Sequence, residues 1–350
     1  MKICVYAICK NESQFVDRWM KSVSEADQIV VLDTGSADDT AQRLRDAGAT
    51  VYQTVVKPWR FDVARNMSLD LVPSDVDVCI CIDLDEILQP GWRKALEEQW
   101  TPDMRQGQFF YIWSFDAEGN PDVTFWREKI HTRYGFRWVH PVHEVLEWTG
   151  PGEAPKIEPF PNVVVEHHPD MTKSRSNYLE LLELAASETP EDDRTMHYLG
   201  REYMYAHRWE DVIRTLKQHL MLPSATWFDE RSASMRYIGK CYMQLGDLDE
   251  ALVWYTRATQ QAPYLREPYI DKAICLYVSN FGKQVPEDWE ELIRCVNTAL
   301  GIQERPQSYI SEGYAWNTYP YELLVRAHYY LHHKDEVYWC IGKILGDAIF

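Results

Sequence analysis

The chain has 350 residues, of which 45% are hydrophobic and 26% are charged. This balance is typical of a folded globular protein, and the length exceeds the roughly 100 to 200 residues of a single domain, so two domains are expected. The formal net charge of −18 excludes a surface that is basic overall, and with it a general affinity for nucleic acid.

The sequence predicts a cytoplasmic protein without a membrane span. No apolar run approaches the roughly 18 residues that cross a bilayer. The apolar start at Ile3–Cys9 is too short for the core of a signal peptide and has no cleavage site after it. The eight cysteines have neither metal-finger spacing nor a disulfide framework, which favours buried, reduced thiols.

In the first hundred residues, short β-branched runs alternate with helical patterns, which predicts a mostly parallel sheet with crossover helices. We expect strands at residues 2–8, 28–32, 50–54 and 77–82. The second strand runs into Asp33-Thr34-Gly35-Ser36, where Ser36 is expected to cap a helix. Residues 108–167 are rich in aromatic strand-like pieces and predict an extension of the sheet.

After Asp170 the pattern is helical to the end, apart from a loop at residues 301–320. A 34-residue tetratricopeptide pattern fits Ile238, Gly239, Tyr242, Gly246, Ala251, Tyr255, Ala258 and Pro263. A degenerate copy precedes it at Leu199, Gly200, Tyr203, Val212, Leu216 and Pro223. With fainter matches further on, about four helix pairs are expected. The alternative is ordinary helix packing without stacked repeats.

Three acids follow a predicted buried strand, in the run Asp83-Leu84-Asp85-Glu86. Ligands of open α/β sheets bind beyond the carboxyl ends of the strands, where this run is expected. Neighbouring carboxylates repel one another unless a cation neutralises them, and their hard oxygen atoms suit Mg²⁺ or Mn²⁺. The alternative is a solvated acidic turn.

Four segments together resemble the family 2 glycosyltransferases, which have a GT-A fold. They are AICKNE (residues 7–12), VLDTGSADDT (31–40), FDVARN (61–66) and DLDE (83–86), in the family's order. The chain looks most similar to bacterial and phage members with a tetratricopeptide tail, a group that includes the glycocin peptide S-glycosyltransferases. The resemblance implies an α/β GT-A domain with a Rossmann-like mixed sheet at residues 1–170, followed by an all-α tetratricopeptide-like domain at 171–350.

The resemblance also implies a nucleotide-sugar donor, most simply a UDP-sugar, and roles for individual residues. The base and ribose would contact Ile8, Lys10, Asn11, Glu12 and Asp33. Arg65 would reach the ribose or diphosphate, and Asn66 would shape that wall. Asp85 would bind Mn²⁺ or Mg²⁺ directly, while Asp83 would hold the ribose or a metal-bound water. The plainer alternatives are a helix cap for Asp33, a surface ion pair for Arg65 and no function for Asn66.

Two later elements are assigned by the same resemblance. His140-Pro141-Val142-His143-Glu144 resembles the His-Glu element on the acceptor side, which makes Glu144 the first choice for the general base. Asp116 and Asp122 remain alternatives. His167 is expected to complete the metal site or to contact the diphosphate, and its alternative role is structural.

Residues 126–143 carry four basic side chains (Arg127, Lys129, Arg133, Arg137) and one acidic one (Glu128), a local charge of +3 by subtraction. Aromatic residues between these charges suit sugar rings, peptides or unstacked bases, or alternatively a partly buried strand pair. The implied activity is transfer of a sugar, with inversion, to a peptide, a glycan or a modified DNA base. The repeats would bind that acceptor or form a homodimer. The rival hypothesis is a tetratricopeptide scaffold with a degenerate transferase domain, against which the intact acidic motif argues.

Overall fold

The computed structural model describes residues 1–170, 177–281 and 285–346. These residues form two compact units, one within Met1–Asn177 together with Gln307–Tyr309, and one within Tyr178–Pro306 together with Ile310–Phe350. In the described residues, no helix is both long and apolar enough to span a membrane. All eight cysteines are buried free thiols, as predicted.

The first unit is built on a mixed sheet with four short helices. Its strands are β1 (Ile3–Cys9), β2 (Gln28–Asp33), β3 (Thr50–Gln53), β4 (Val78–Cys81), β5 (Glu86–Leu88), β6 (Gln106–Ile112), β7 (Thr124–Thr132), β8 (Phe136–Val139), β9 (Val145–Trp148) and β10 (Ile157–His167). Its helices are α1 (Val16–Ser22), α2 (Thr40–Asp46), α3 (Phe61–Asp70) and α4 (Trp92–Gln99). Eight strands pair in the order β3-β2-β1-β4-β7-β6-β10-β5, and β8 and β9 form a separate hairpin.

The four predicted N-terminal strands are confirmed to within two residues at each end. β1 pairs in parallel with both β2 and β4, and all seven of its residues are buried. Val5 and its same-face neighbours contact a core that includes Trp19 of α1 and Trp92 of α4. Tyr6, on the opposite face, packs with Leu69 of α3. β1 therefore reads as a continuous apolar run because both faces of the sheet are covered by helices.

The prediction that Ser36 caps a helix is wrong. The next helix, α2, begins only at Thr40. The Ser36 hydroxyl instead accepts a hydrogen bond from the backbone N–H of Asn11 at 2.8 Å. A cap and a loop contact use the same hydroxyl oxygen, so the sequence pattern alone does not distinguish them.

The second unit is helical. It contains α5 (Tyr178–Glu188), α6 (Asp193–Tyr205), α7 (Trp209–Met221), α8 (Phe228–Gln244), α9 (Leu248–Gln261), α10 (Glu267–Asn280), α11 (Pro286–Gly301), α12 (Tyr319–Tyr330) and α13 (Lys334–Leu345). The helices from α6 onward form the four predicted pairs, and the predicted loop separates α11 from α12. Gly239 lies against the Tyr255 ring, where an added Cβ would come within 2.8 Å of a ring carbon. The repeat pattern thus marks close helix approach, as expected.

Candidate functional site

The carboxyl ends of β1, β2 and β4 lie at one edge of the sheet because these strands are parallel neighbours. β10 runs in the same direction, since it is parallel to β6, which is linked to β4 through the antiparallel strand β7. Side chains that follow these strands therefore share the edge. They include Lys10, Asn11 and Glu12 after β1, Asp33 at the end of β2, Asp83 and Asp85 after β4, and His167 at the end of β10.

A buried arginine connects two of the predicted acids. Arg65, on α3, is 5% exposed and donates two parallel hydrogen bonds to Asp83, of 2.8 and 2.9 Å. Its Nε donates to Oε1 of Glu144. Burial lowers the pKa of Arg65, but the charges of Asp83 and Glu144 outweigh it and raise the pKa well above its ordinary value. Arg65 is therefore a permanent cation between the two carboxylates, not a surface residue.

A second cation, Lys129 of β7, also contacts Asp83. The Nζ atom lies 3.0 Å from Oδ2 of Asp83 and 3.3 Å from Oε1 of Glu86. The hydroxyl of Tyr111 donates to the same Glu86 oxygen at 2.9 Å. Burial raises the pKa of Asp83, but Arg65 and Lys129 outweigh it, so this pKa lies far below its ordinary value. Asp83 is an ionised carboxylate whose charge is compensated by the protein.

Asp85 has a different environment. Its Oδ2 lies 3.5 Å from Nε2 of His167, and its backbone C=O accepts a hydrogen bond from the N–H of His168. The His167 ring stacks on Trp113 with centroids 4.3 Å apart, and its Nδ1 lies 3.3 Å from the Trp113 carbonyl oxygen. If Nδ1 carries the hydrogen toward that carbonyl, Nε2 presents a lone pair to Asp85. Two electron-pair donors then face each other, an arrangement suited to a cation.

The loops that follow β1 and β2 are stabilised by hydrogen bonds within and between them. Asp33 is fully buried, and its Oδ1 accepts hydrogen bonds from the backbone N–H groups of Gly35 and Ser36 at 2.8 and 2.7 Å. Asn11, at φ +53°, accepts from the N–H of Ala37 at 2.7 Å. Asn tolerates this left-handed conformation better than most residues. The structure therefore gives Asp33 and Asn11 roles in shaping the loops.

The other three residues assigned to the donor side differ in exposure. Ile8 is 8% exposed and packs with Leu32 and Ala64. Glu12 is buried, and its backbone N–H donates to the Thr40 hydroxyl at 2.8 Å. Lys10 is exposed at the sheet edge. Of the three, Lys10 is therefore the side chain most accessible to a ligand.

Asn66 fastens the β8 hairpin to α3. Its amide donates to the Trp138 carbonyl at 2.7 Å and accepts from the Trp138 N–H at 2.9 Å. The turn that follows contains two residues of positive φ, His140 at +74° and His143 at +54°, just before Glu144. Positive φ is unfavourable for such side chains and is concentrated at functional sites. Asn66 thus supports the segment that carries Glu144.

The basic side chains of residues 126–143 are largely engaged within the protein. Lys129 is buried among the acids, Arg133 donates to the Val72 carbonyl at 2.9 Å, and Arg137 pairs with Asp70 at 2.5 Å. Arg127 lies over the Tyr111 ring, with its Cζ 5.5 Å from the centroid. The alternative of a partly buried strand pair describes this segment better than an open cationic surface.

Asp116 and Asp122, the alternatives to Glu144 as general base, lie in a turn of their own. Asp116 caps its own turn, accepting from the N–H groups of Glu118 and Asn120. Asp122 lies across that turn, where its backbone N–H donates to the Ser114 carbonyl. Sequence reasoning named Lys129 only as one charge of the basic segment and did not name Trp113. The signal for Lys129 is strand pairing, because β7 places Ile130 opposite Ile80 just before the acidic run.

Comparison with known proteins agrees with this arrangement. Residues 4–145 match the family Glycosyl transferase family 2, and residues 232–265 match the Tetratricopeptide repeat. Within the first unit, residues 4–145 therefore form a family 2 glycosyltransferase domain. It is followed by tetratricopeptide-like helices, so the expected fold class is confirmed.

Individual relatives match parts of the chain. The lipopolysaccharide core biosynthesis glycosyltransferase LpsC of Rhizobium meliloti is 31% identical over 101 residues, 28% of this chain and 37% of that protein. A TPR repeat-containing protein of Synechococcus elongatus is 23% identical over 282 residues, 74% of this chain and 66% of that protein. The chain therefore spans between about a third and two thirds of the length of these curated relatives.

Among solved structures, glucosyl-3-phosphoglycerate synthase from Mycobacterium tuberculosis in complex with Mn²⁺ and UDP-glucose is similar to part of the chain. It is 26% identical, with a TM-score of 0.28, over 31% of this chain and 43% of that one.

Proposed function

We propose that the protein transfers a sugar from a nucleotide sugar, specifically a UDP-sugar, to a nucleophile on an acceptor, with Mn²⁺ or Mg²⁺ and with inversion. One observation carries the proposal: the two aspartates after β4 have opposite surroundings. Arg65 and Lys129 compensate the charge of Asp83, whereas Asp85 faces His167. A carboxylate oxygen that faces an imidazole nitrogen, with no Lys or Arg among the described residues pairing it, is a suitable place for a divalent cation.

Asp85 and His167 are the proposed protein ligands of the divalent ion. Their facing atoms lie 3.5 Å apart, and a carboxylate oxygen with an imidazole nitrogen suits Mn²⁺. Asp83 is proposed to contact the ribose or a metal-bound water, since its oxygens already accept bonds from two cations. When bound, the ion offsets charge on the leaving nucleoside diphosphate.

The nucleotide-sugar donor is proposed to lie over the carboxyl ends of β1 and β2. Asp33 and Asn11 shape this side of the site, and Lys10 is available to a phosphate. Glu144, which contacts Arg65 on the side away from Asp83, is the proposed general base. Its side chain is 9% exposed, and the Arg65 contact keeps one of its oxygens in a fixed position.

For the acceptor, we propose a peptide or a glycan bound with help from the repeats. A modified DNA base is less favoured, because Lys129, Arg133 and Arg137 are already paired within the domain. Binding to a DNA duplex that weakens steeply with salt would overturn this choice. Dimerisation through the repeats is the other role proposed for them.

Thermal unfolding with UDP and Mn²⁺ tests the donor site. A ligand that binds only the folded state raises its melting temperature, so UDP with Mn²⁺ is expected to stabilise the protein more than UDP with a chelator. Asp85→Asn should remove that difference. Asp75→Asn is the matched control, because Asp75 forms an exposed pair with Lys2 ahead of β4. Equal stabilisation of the Asp85 variant would contradict the metal assignment.

Transfer itself separates the enzyme from the inactive scaffold. Incubation with a panel of UDP-sugars should release UDP slowly by hydrolysis, and faster when an acceptor is present. Binding of UDP without release from any donor would favour the scaffold hypothesis.

A further inference from the structure

Three side chains of types that can bind a metal converge inside the helical unit. His197 comes from α6, His219 from α7 and Glu230 from α8. The two histidines are fully buried and Glu230 is 4% exposed. One ligand atom from each lies within 4.8 Å of the other two. Among residues 1–170, 177–281 and 285–346, no other group of three His, Cys, Asp or Glu meets this spacing.

A serine hydroxyl orients both imidazole rings. Ser234, one turn after Glu230 on α8, has its Oγ 2.8 Å from Nδ1 of His197 and 3.0 Å from Nδ1 of His219. A hydroxyl oxygen has two lone pairs, so it is able to accept an N–H from each ring. Both Nε2 atoms would then carry lone pairs. Histidine ligands of metals typically donate their other ring N–H to a polar group in this way.

His219 supplies the clearest sign of a ligand. Its Nε2 makes no hydrogen bond to any described residue, although the ring is fully buried. That atom lies 3.4 Å from Oε1 of Glu230. Burial of an unsatisfied ring nitrogen is costly, and a cation bound to that nitrogen would satisfy it.

We propose that His197, His219 and Glu230 bind a zinc ion that joins α6, α7 and α8, with Ser234 as the positioning residue. Two imidazoles and one carboxylate are common zinc ligands, and a water would take the fourth position. Ligand atoms around tetrahedral zinc are about 3.3 Å apart. Nε2 of His219 and Oε1 of Glu230 are 3.4 Å apart, and the three ligand atoms lie within 4.8 Å of one another, so the site would contract when it binds the ion. The ion would tie the degenerate first repeat to the second repeat, which matches the tetratricopeptide pattern.

The alternative occupant of this space is a proton, with the four side chains forming a buried hydrogen-bonded network. Zinc binding distinguishes the two. The 350-residue chain with Asp85→Asn, which removes a proposed ligand of the other metal site, is stripped with a chelator and titrated with Zn²⁺ against a chromophoric competitor. We expect one tight equivalent and a higher melting temperature after zinc is added.

Variants assign that equivalent to the cluster. His219→Asn keeps a polar group near Ser234 but removes Nε2, and should abolish tight binding. Glu230→Gln provides the same test if the first variant fails to fold. Ser234→Ala should weaken the affinity about 10- to 100-fold. His207→Asn is the control, because His207 is exposed at φ +57°, a conformation that Asn adopts readily.

The proposal is overturned if the chain with Asp85→Asn binds no zinc, or if His219→Asn and Glu230→Gln bind it as tightly as their parent. Co²⁺ offers an independent readout, since its visible absorption reports nitrogen and oxygen ligation. One bound Co²⁺ ion is expected to give these absorption bands in the chain with Asp85→Asn. Absence of the bands would also contradict the zinc proposal. Neither result depends on the transferase activity.

Discussion

Lys129 Nζ and Asp83 Oδ2 lie 3.0 Å apart, although 46 positions separate the two residues in the chain. Lys129 is 2% exposed and the Asp83 side chain is 26% exposed, so the ammonium group is buried while the carboxylate is only partly so. Its strand, β7, runs antiparallel to β4 and delivers the ammonium group directly beneath the acidic run. Without this cation, Asp83 and Glu86 would repel each other in a poorly solvated space.

Lys129→Met is expected to destabilise the fold by about 3 to 5 kcal/mol, the usual cost of leaving buried charges without their partner. Urea unfolding measures the change. Arg137→Met is the matched control, since Arg137 pairs with Asp70 on the surface and should cost less than about 1 kcal/mol. Similar losses of unfolding free energy in both variants would show that burial of the cation does not determine the size of the destabilisation.

The contact between Lys129 and Asp83 could not be predicted from the sequence. The four N-terminal strands, the acidic run and the repeats were predictable because each is a local pattern of hydrophobic period or motif spacing. Lys129 and Trp113 belong to the site through the order β4-β7-β6-β10, which no local pattern specifies. The basic segment was left with two interpretations for the same reason, because its composition indicated cations but not their partners Asp83, Val72 and Asp70.

His131 predicts a pH dependence of stability. Its Nε2 lies 2.8 Å from the Tyr6 hydroxyl, and burial lowers its pKa to about 4. The unfolded imidazole binds a proton below about 6.5 whereas the folded one stays neutral until about 4. The contribution of neutral His131 to the free energy of unfolding is therefore complete above pH 6.5. It is lost as the pH falls toward 4, which lowers that free energy by up to about 3 kcal/mol.

His131→Gln, whose amide oxygen is able to accept from Tyr6, should flatten that decline. The free energy of unfolding, measured between pH 7 and pH 4.5, provides the comparison. His207→Gln should leave the wild-type slope in place, because His207 is exposed. A slope unchanged by His131→Gln would refute the burial argument.

Glu144→Gln tests the proposed base. Gln keeps the shape but accepts no proton, so transfer should fall about 10²- to 10⁴-fold while UDP binding stays near normal. Glu147→Gln, on the exposed side of β9, is the control. Loss of UDP affinity would instead assign Glu144 to the donor side, and an unchanged rate would make its contact with Arg65 purely structural.

Close helix approach in the first repeat predicts a cost for one added methyl group. In Gly200→Ala the new Cβ would come within 2.2 Å of a Leu216 side-chain carbon, which should destabilise the helical unit by about 1 to 3 kcal/mol. Gly301→Ala is the control, because its Cβ would meet nothing within 4 Å. That change should be neutral or stabilising by about 0.5 kcal/mol. Thermal unfolding that ranks the two in the opposite order would exclude this packing.

Arg65 gives the site an epistatic character. One guanidinium group serves both Asp83 and Glu144, so a substitution at either acid alters the field at the other. Effects of changes at the two positions should therefore not add, as is usual for residues that share a partner. An engineer who reshapes the donor side through Asp83 also resets the orientation of Glu144, and would have to choose both residues together.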